Sequence, residues 1–133
     1  MEHFTSISWM GVISATVASF ILGFVWFHPN VFGMTWAKSA QVELKPSSLA
    51  MVGTLLSTII LAIGFAFILR LTGWAGAMPG VGLGLLSVII FIAPALIGQW
   101  FFMNRLPLFA VNIGFNVVNM IVIGLIIGKF QSV

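Results

Sequence analysis

The chain has 133 residues, of which 61% are hydrophobic and 5% are charged, and its formal net charge is +3. Soluble domains carry roughly a quarter charged residues, so this composition excludes a soluble globular protein, and the high apolar content excludes a disordered chain. Five cations spread over the whole length form no basic patch, which excludes nucleic-acid binding. The sequence therefore predicts an all-α integral membrane protein with a single domain over residues 1–133.

Four uncharged apolar stretches are long enough to cross a bilayer as helices, which takes about 20 residues. They cover residues 7–27, 49–69, 81–102 and 108–128. The charged residues and both histidines lie outside these stretches or at their edges, as expected because a charge inside the bilayer is costly. We predict four transmembrane helices. We expect the first helix to be retained and not cleaved as a signal peptide. A signal peptide has Lys or Arg before its apolar segment, and none precedes this one.

The first connection, residues 28–48, is the longest and has a helical pattern of its own. Its apolar residues recur at roughly helical spacing, and they are Val31, Phe32, Trp36 and Ala40. This pattern predicts a short helix in the membrane interface between the first and second spans. The last connection, residues 103–107, is so short that the third and fourth spans must be antiparallel neighbours.

Amide side chains are concentrated in the fourth span. Asn112, Asn116 and Asn119 are spaced i, i+4 and i+7, which places them on one helix face. Gln99 lies about as far before the last connection as Asn112 lies after it, so we expect these two to meet. Amides in hydrocarbon need partners, and they join helices for about 0.6–2 kcal/mol each. This polar intramembrane face joins helices or subunits together, or it lines a path for a solute.

Small residues recur at every fourth position and indicate close helix packing. In the first span they are Gly11, Ala15, Ser19 and Gly23, and in the fourth span Gly124 and Gly128. The third span begins with alternating glycines, Gly80, Gly82 and Gly84, and its Pro94 predicts a kink. The sequence leaves open whether the partner helices belong to one chain or to two.

Side chains that enzymes use for catalysis are scarce. The chain has no Cys and no Asp, its carboxylates are Glu2 and Glu43, and its histidines are His3 and His28. A carboxylate pair, a triad with Asp and a thiolate metal site are therefore missing. We predict no catalytic residue, no metal and no cofactor. A membrane enzyme that uses His28 and Glu43 is one of three hypotheses for function; the other two are an interaction protein and a transporter.

An aromatic motif, WFHPNVFGMTWAK, covers residues 26–38. Its aromatic side chains suit the headgroup layer of a membrane, and its lysine is placed to reach lipid phosphates. The motif predicts an anchor that fixes the depth of the first helix, or alternatively a lid or a docking surface for a partner. The residues of this interfacial motif are Trp26, His28, Pro29, Phe32, Gly33, Trp36 and Lys38.

The motif, the chain length, the four spans, the Arg105 turn and the Asn-rich fourth helix resemble those of a bacterial four-helix membrane family, domain of unknown function 1761. Residue by residue, the resemblance carries over only at Trp26, Pro29, Phe32, Gly33, Trp36 and Lys38. It implies the same fold and a bacterial inner membrane. It implies no activity, substrate or cofactor.

The sequence favours a small membrane protein that acts through interactions, as an accessory or structural subunit or as a homo-oligomer in the lipid bilayer. The alternative is a small oligomeric transporter or channel for an uncharged or lipophilic solute or for lipid, lined by Gln99 and the three asparagines. The first and third connections hold Lys38, Lys45 and Arg105, against two cations on the opposite side. By the positive-inside rule, both termini then lie on the non-cytoplasmic side.

Overall fold

The structure is a computed structural model that describes residues 7–43 and 47–131. Glu2, His3 and Lys45 lie outside the described residues. The α-helices within these ranges are α1 (Trp9–Trp26), α2 (Met34–Ala40), α3 (Ser48–Thr72), α4 (Ala77–Ser87), α5 (Ala93–Met103) and α6 (Leu106–Phe130). A π-helical segment, Pro29–Gly33, precedes α2, and another, Val88–Ile92, joins α4 to α5.

Four of the helical segments are long and apolar enough to cross a membrane. They are α1, α3, α6 and the continuous segment Ala77–Met103, which contains α4 and α5. The shorter α2 lies between the first and second spans. The predicted fold class, four transmembrane helices with a short helix after the first, is therefore confirmed.

Local capping explains where α3 differs from the predicted span of residues 49–69. At its start, the Ser47 hydroxyl accepts a hydrogen bond from the Ala50 N–H at 3.1 Å, as helix-capping serines do. At its end, Gly73 has a φ of 74° and terminates the helix after Thr72. The helix therefore continues one turn beyond Leu69 and includes Arg70 in its last turn.

The third span winds as a π-helix just before Pro94. The Ala93 N–H donates to the Val88 carbonyl, five residues earlier, where an α-helix would use the residue four earlier. Proline has no N–H and its ring crowds the carbonyl of the preceding turn. The wider turn accommodates Pro94 without ending the span, and the bend that Pro94 predicts stays a prediction.

Helix α6 is the centre of the bundle, and α1, α2, α3, α4 and α5 all contact it. The buried residues of α1 lie between Gly11 and Ser19, whereas those of α3 begin at Ala62. Helix α5 has no buried residue. Because neighbouring spans are antiparallel, the buried segments meet at the end that holds the connection between α3 and α4.

We therefore divide the bundle into two regions. The packed half comprises residues 9–19, 62–72, 76–88 and 119–131, and the open half comprises residues 20–43, 47–61, 89–103 and 106–118. In the open half, burial is confined to the place where α2 covers the start of α6. The residues buried there are Gly33, Ala37, Leu108 and Val111.

The packed half contains a direct backbone contact between α4 and α6. A methyl group on Gly80 would collide with the carbonyl oxygen of Gly124. The Gly76 N–H, just before α4, donates to the Gly128 carbonyl at 3.1 Å. Small residues let transmembrane helices approach closely where lipid supplies no hydrophobic driving force. We call these residues the glycine seam: Gly76, Gly80, Gly84, Gly124 and Gly128.

Candidate functional site

One face of α6 passes from the packed half into the open half and changes from apolar to amide. Residues spaced by four, three, four and four positions form this α6 stripe: Asn112, Asn116, Asn119, Ile123 and Ile127. Ile123 and Ile127 are fully buried, and Asn119 is 4% exposed. The two remaining asparagines are only half-buried. The stripe is therefore covered at one end and uncovered at the other.

Asn119 joins α6 to α1 within one chain. The Ser19 hydroxyl donates to Asn119 Oδ1 at 2.5 Å, and both side chains are buried. Ser19 continues the small-residue row of α1, whose Gly11 and Ala15 are also buried, while Gly23 is half-buried. A Cβ on Gly11 would lie 2.8 Å from Cβ of Phe130. This row therefore packs against α6 of the same chain.

Asn112 and Asn116 make no such connection. The Asn116 amide donates to the Asn112 carbonyl of its own helix at 2.8 Å, and in the described ranges neither side chain hydrogen-bonds another helix. Helix α6 has 25 residues from Leu106 to Phe130, so Asn116 lies close to its midpoint. At that depth no bulk water is present to satisfy the remaining hydrogen-bonding capacity.

Gln99 lies apart from the asparagines. It is exposed, and no hydrogen bond joins it to Asn112 within residues 7–43 and 47–131. The next residue, Trp100, stacks on Phe109 of α6 with ring centroids 4.9 Å apart. Aromatic stacking therefore brings α5 against α6 near their connection, and the expected meeting of Gln99 with Asn112 stays a prediction.

The first part of α3 is the other uncovered surface of the open half. No residue between Ser48 and Leu61 is buried, whereas Ala62 and Ala66 further along the helix are fully buried. Two threonine hydroxyls donate to carbonyls of their own helix, at 2.9 Å for Thr54 and 2.8 Å for Thr58. Their polar groups are thereby satisfied. We call the small side chains here the α3 small-residue face: Ala50, Gly53, Thr54, Ser57 and Thr58.

Ser39 fastens α2 to the start of α6. Its hydroxyl accepts a hydrogen bond from the Leu108 N–H at 3.1 Å, and its carbonyl accepts one from Arg105 Nη1 at 2.9 Å. Leu108 lies in the first turn of α6, where backbone N–H groups have no partner within the helix. Ser39 thus caps a helix 69 positions away. The sequence interpretation missed it, because a cap from a distant segment leaves no local pattern.

The aromatic residues of the interfacial motif fold back onto α1 and α6. Trp26 Nε1–H donates to the Val111 carbonyl at 3.2 Å, and its ring centroid lies 4.7 Å from that of Phe32. Phe27 meets Trp36 edge-to-face with centroids 5.7 Å apart. These contacts fix α2 across the end of the open half, and the anchor role of the motif stays a prediction.

The remaining motif residues shape the turn into α2. His28 is exposed, and its Nδ1 accepts a hydrogen bond from the Asn30 N–H at 3.1 Å, which caps the π-helical segment that begins at Pro29. Gly33 is buried, and Lys38 is exposed on α2. Among the described residues, no group of three or more His, Cys, Asp or Glu side chains is placed to hold a metal ion.

The model of the family described as protein of unknown function (DUF1761) matches residues 10–128. This range includes the interfacial motif, the second and third spans, and all but the outermost residues of the first and fourth spans. No curated protein and no solved structure matches the chain.

Proposed function

We propose that this chain, which belongs to the DUF1761 family of proteins of unknown function, acts through interactions between transmembrane helices and not through catalysis. The partner we propose is a second copy of the chain. The observation that carries the proposal is the uncovered end of the α6 stripe, where Asn112 and Asn116 have no hydrogen bond to another helix in the described residues.

An amide suits an interface between identical chains because it both donates and accepts hydrogen bonds. In a two-fold interface the same surface occurs on both subunits, so self-complementary groups satisfy one another. Asn116 of each copy then finds its partner on the other copy. The α3 small-residue face supports close approach of a further helix in the same half of the bundle. If the chain is instead an accessory subunit of a larger complex, the same surface binds a different protein.

The proposal places the protein in a bacterial inner membrane with both termini on the non-cytoplasmic side. The support for this orientation is the excess of one cation in the first and third connections over the rest of the chain.

The test compares assembly of leucine variants in mild detergent by native mass spectrometry. We expect the wild type to form a homo-oligomer, and Asn112→Leu with Asn116→Leu to yield a folded, helical monomer. Gln99→Leu is the matched control, because it removes an amide from a spanning helix outside the α6 stripe. We expect Gln99→Leu to assemble like the wild type.

Three outcomes contradict the proposal. A wild type that is only a monodisperse monomer excludes the homo-oligomer. A double variant that assembles like the wild type excludes Asn112 and Asn116 as the interface. A different protein bound at fixed stoichiometry also excludes the homo-oligomer and makes the chain an accessory subunit.

A transporter or channel for an uncharged or lipophilic solute is the second candidate. The half-buried state of Asn112 and Asn116, the second of them near mid-span, supports it, because a path for a solute needs accessible polar groups within the span. Replacing Asn112 and Asn116 by leucine distinguishes the two functions in vesicles and leaves the buried link between Asn119 and Ser19 in place. A path is indicated if solute flux is lost while the oligomer persists, and helix joining is indicated if the oligomer is lost.

A further inference from the structure

An open groove lies along α2 at the end of the bundle that carries the interfacial motif. Its volume is about 690 Å³. Apolar side chains, among them Met34, Ala37 and Val42, form part of its wall. Among the described residues, its lining also includes a cationic and an anionic side chain, Lys38 and Glu43. Neither charge takes part in the α6 stripe or in the proposed interface between copies.

The turn that ends α2 explains why Glu43 lies beside the groove. Gln41 adopts the left-handed conformation, with a φ of 60°. The Gln41 N–H donates to the Lys38 carbonyl at 3.3 Å, and the Val42 N–H donates to the Ala37 carbonyl at 3.1 Å. This pair of hydrogen bonds is the Schellman arrangement, in which the chain reverses and the residue after the turn packs on the last helical turn. Glu43 consequently lines the same groove as Lys38.

The two charges are available to a ligand. Lys38 and Glu43 are both exposed, and in the described part of the chain no ion pair joins them. The end of α2 also differs from an anionic-lipid site built only of cations, because it presents both signs of charge beside an apolar wall. A ligand that complements it carries an anion, a cation and hydrocarbon.

We propose that this groove binds the headgroup of a zwitterionic phospholipid that bears a primary ammonium, such as phosphatidylethanolamine. The phosphate lies at the Lys38 ammonium, the lipid ammonium lies at the Glu43 carboxylate, and the start of the acyl chains contacts Met34 and Val42. The aromatic contacts of Trp26 and Trp36 support this occupant. Tryptophan side chains are enriched at the headgroup layer of a membrane, so lipid headgroups are the ligands available at this end of the bundle.

Native mass spectrometry of the full chain, with equimolar phosphatidylethanolamine and phosphatidylglycerol in detergent, tests the proposal. We expect the wild type to retain more phosphatidylethanolamine. Glu43→Gln should lower that retention about 1.4- to 5-fold, the range that one exposed ion pair contributes, and should not lower retention of phosphatidylglycerol. Lys38→Gln should lower retention of both lipids, because both carry the phosphate. Lys129→Gln, a cation in the packed half, is the control and should change neither.

A charge-reversal variant keeps the test decisive if one substitution disturbs folding. In Glu43→Lys the groove presents two cations, so we expect phosphatidylglycerol to replace phosphatidylethanolamine as the retained lipid, with the helical circular dichroism spectrum unchanged. The proposal is overturned if Glu43→Gln and Glu43→Lys leave the ratio of the two lipids at the wild-type value. It is also overturned if Lys129→Gln lowers lipid retention as much as Lys38→Gln.

Discussion

The two halves of the bundle contain the same spans but hold them together by different means. In the packed half, α4 and α6 meet backbone to backbone along the glycine seam, and isoleucines of α6 are fully buried. In the open half, α5 has no buried residue, and aromatic rings and the Ser39 cap supply the contacts to α6. Close packing therefore fixes one half, while a few directional contacts fix the other.

The difference shows which kind of exposure is informative in a membrane protein. An apolar side chain exposed to lipid costs little, because lipid tails are as apolar as the side chain. An amide exposed to lipid is costly, because no bulk water is present there to form hydrogen bonds with it. On the α6 stripe, an exposed isoleucine would thus indicate nothing, whereas half-buried Asn116 indicates a missing partner.

The largest effect is expected from a methyl group added inside the glycine seam. Gly80→Ala places its Cβ against the Gly124 carbonyl, so the helices must separate. Overpacking of this kind costs about 3 kcal/mol or more when backbone is the obstacle. The unfolding temperature in detergent measures it. Gly82→Ala is the matched control on the same helix, because the space around the added methyl is open. Equal unfolding temperatures for the two variants would contradict the close packing of α4 against α6.

A smaller effect is expected where α2 meets α6. Ser39→Ala removes the hydroxyl that accepts the Leu108 N–H, and loss of a helix cap costs about 1 kcal/mol. We expect faster proteolysis within α2, with the packed half unaffected. Thr35→Ala, on the exposed side of the same helix, serves as the comparison. Protection of α2 that is the same in both variants would show that Ser39 does not fasten it.

The buried link between α1 and α6 should contribute less. Ser19→Ala removes the hydrogen bond to Asn119, and such bonds between transmembrane helices contribute about 0.6 kcal/mol on average. Equilibrium unfolding in mixed micelles measures the loss. Ser14→Ala, a half-buried serine of the same helix, is the control, and a loss as large as that of Ser19→Ala would argue against the link.

The smallest effect has the opposite sign and belongs to the open half. Around Gly98 of α5 the space is open, so Gly98→Ala meets no obstacle and gains helix propensity of about 0.5 kcal/mol. We expect a slightly higher unfolding temperature. Destabilisation comparable to that of Gly80→Ala would mean that α5 is packed as tightly as α4.

The sequence predicts the spans well, because a membrane imposes length and charge rules that act locally. The capping residue Ser47 and the terminator Gly73 then move the ends of α3 by a few residues. Facing partners are harder to predict. Spans that are apolar on every side do not reveal which side meets which neighbour, so the pairing of Gly80 with Gly124 needed the structure.

The polar contacts between helices could likewise be predicted from the sequence only in part. The spacing of Asn112, Asn116 and Asn119 puts all three on one helix face, since the helical period is fixed. It does not reveal that Asn119 alone reaches another helix, at Ser19. The contact of Gln99 was expected from its distance to the connection, but the bulky neighbour Trp100 occupies the surface toward α6.

Cysteine cross-linking in native membranes tests the central claim, that the open half is the interface between copies. The chain contains no Cys, so single substitutions give an unambiguous signal. Ser57→Cys lies on the α3 small-residue face, and Leu125→Cys lies on an exposed position of the packed half. We expect a disulfide-linked dimer from Ser57→Cys upon oxidation and none from Leu125→Cys. A dimer from Leu125→Cys alone, or equal dimer from both variants, would contradict it.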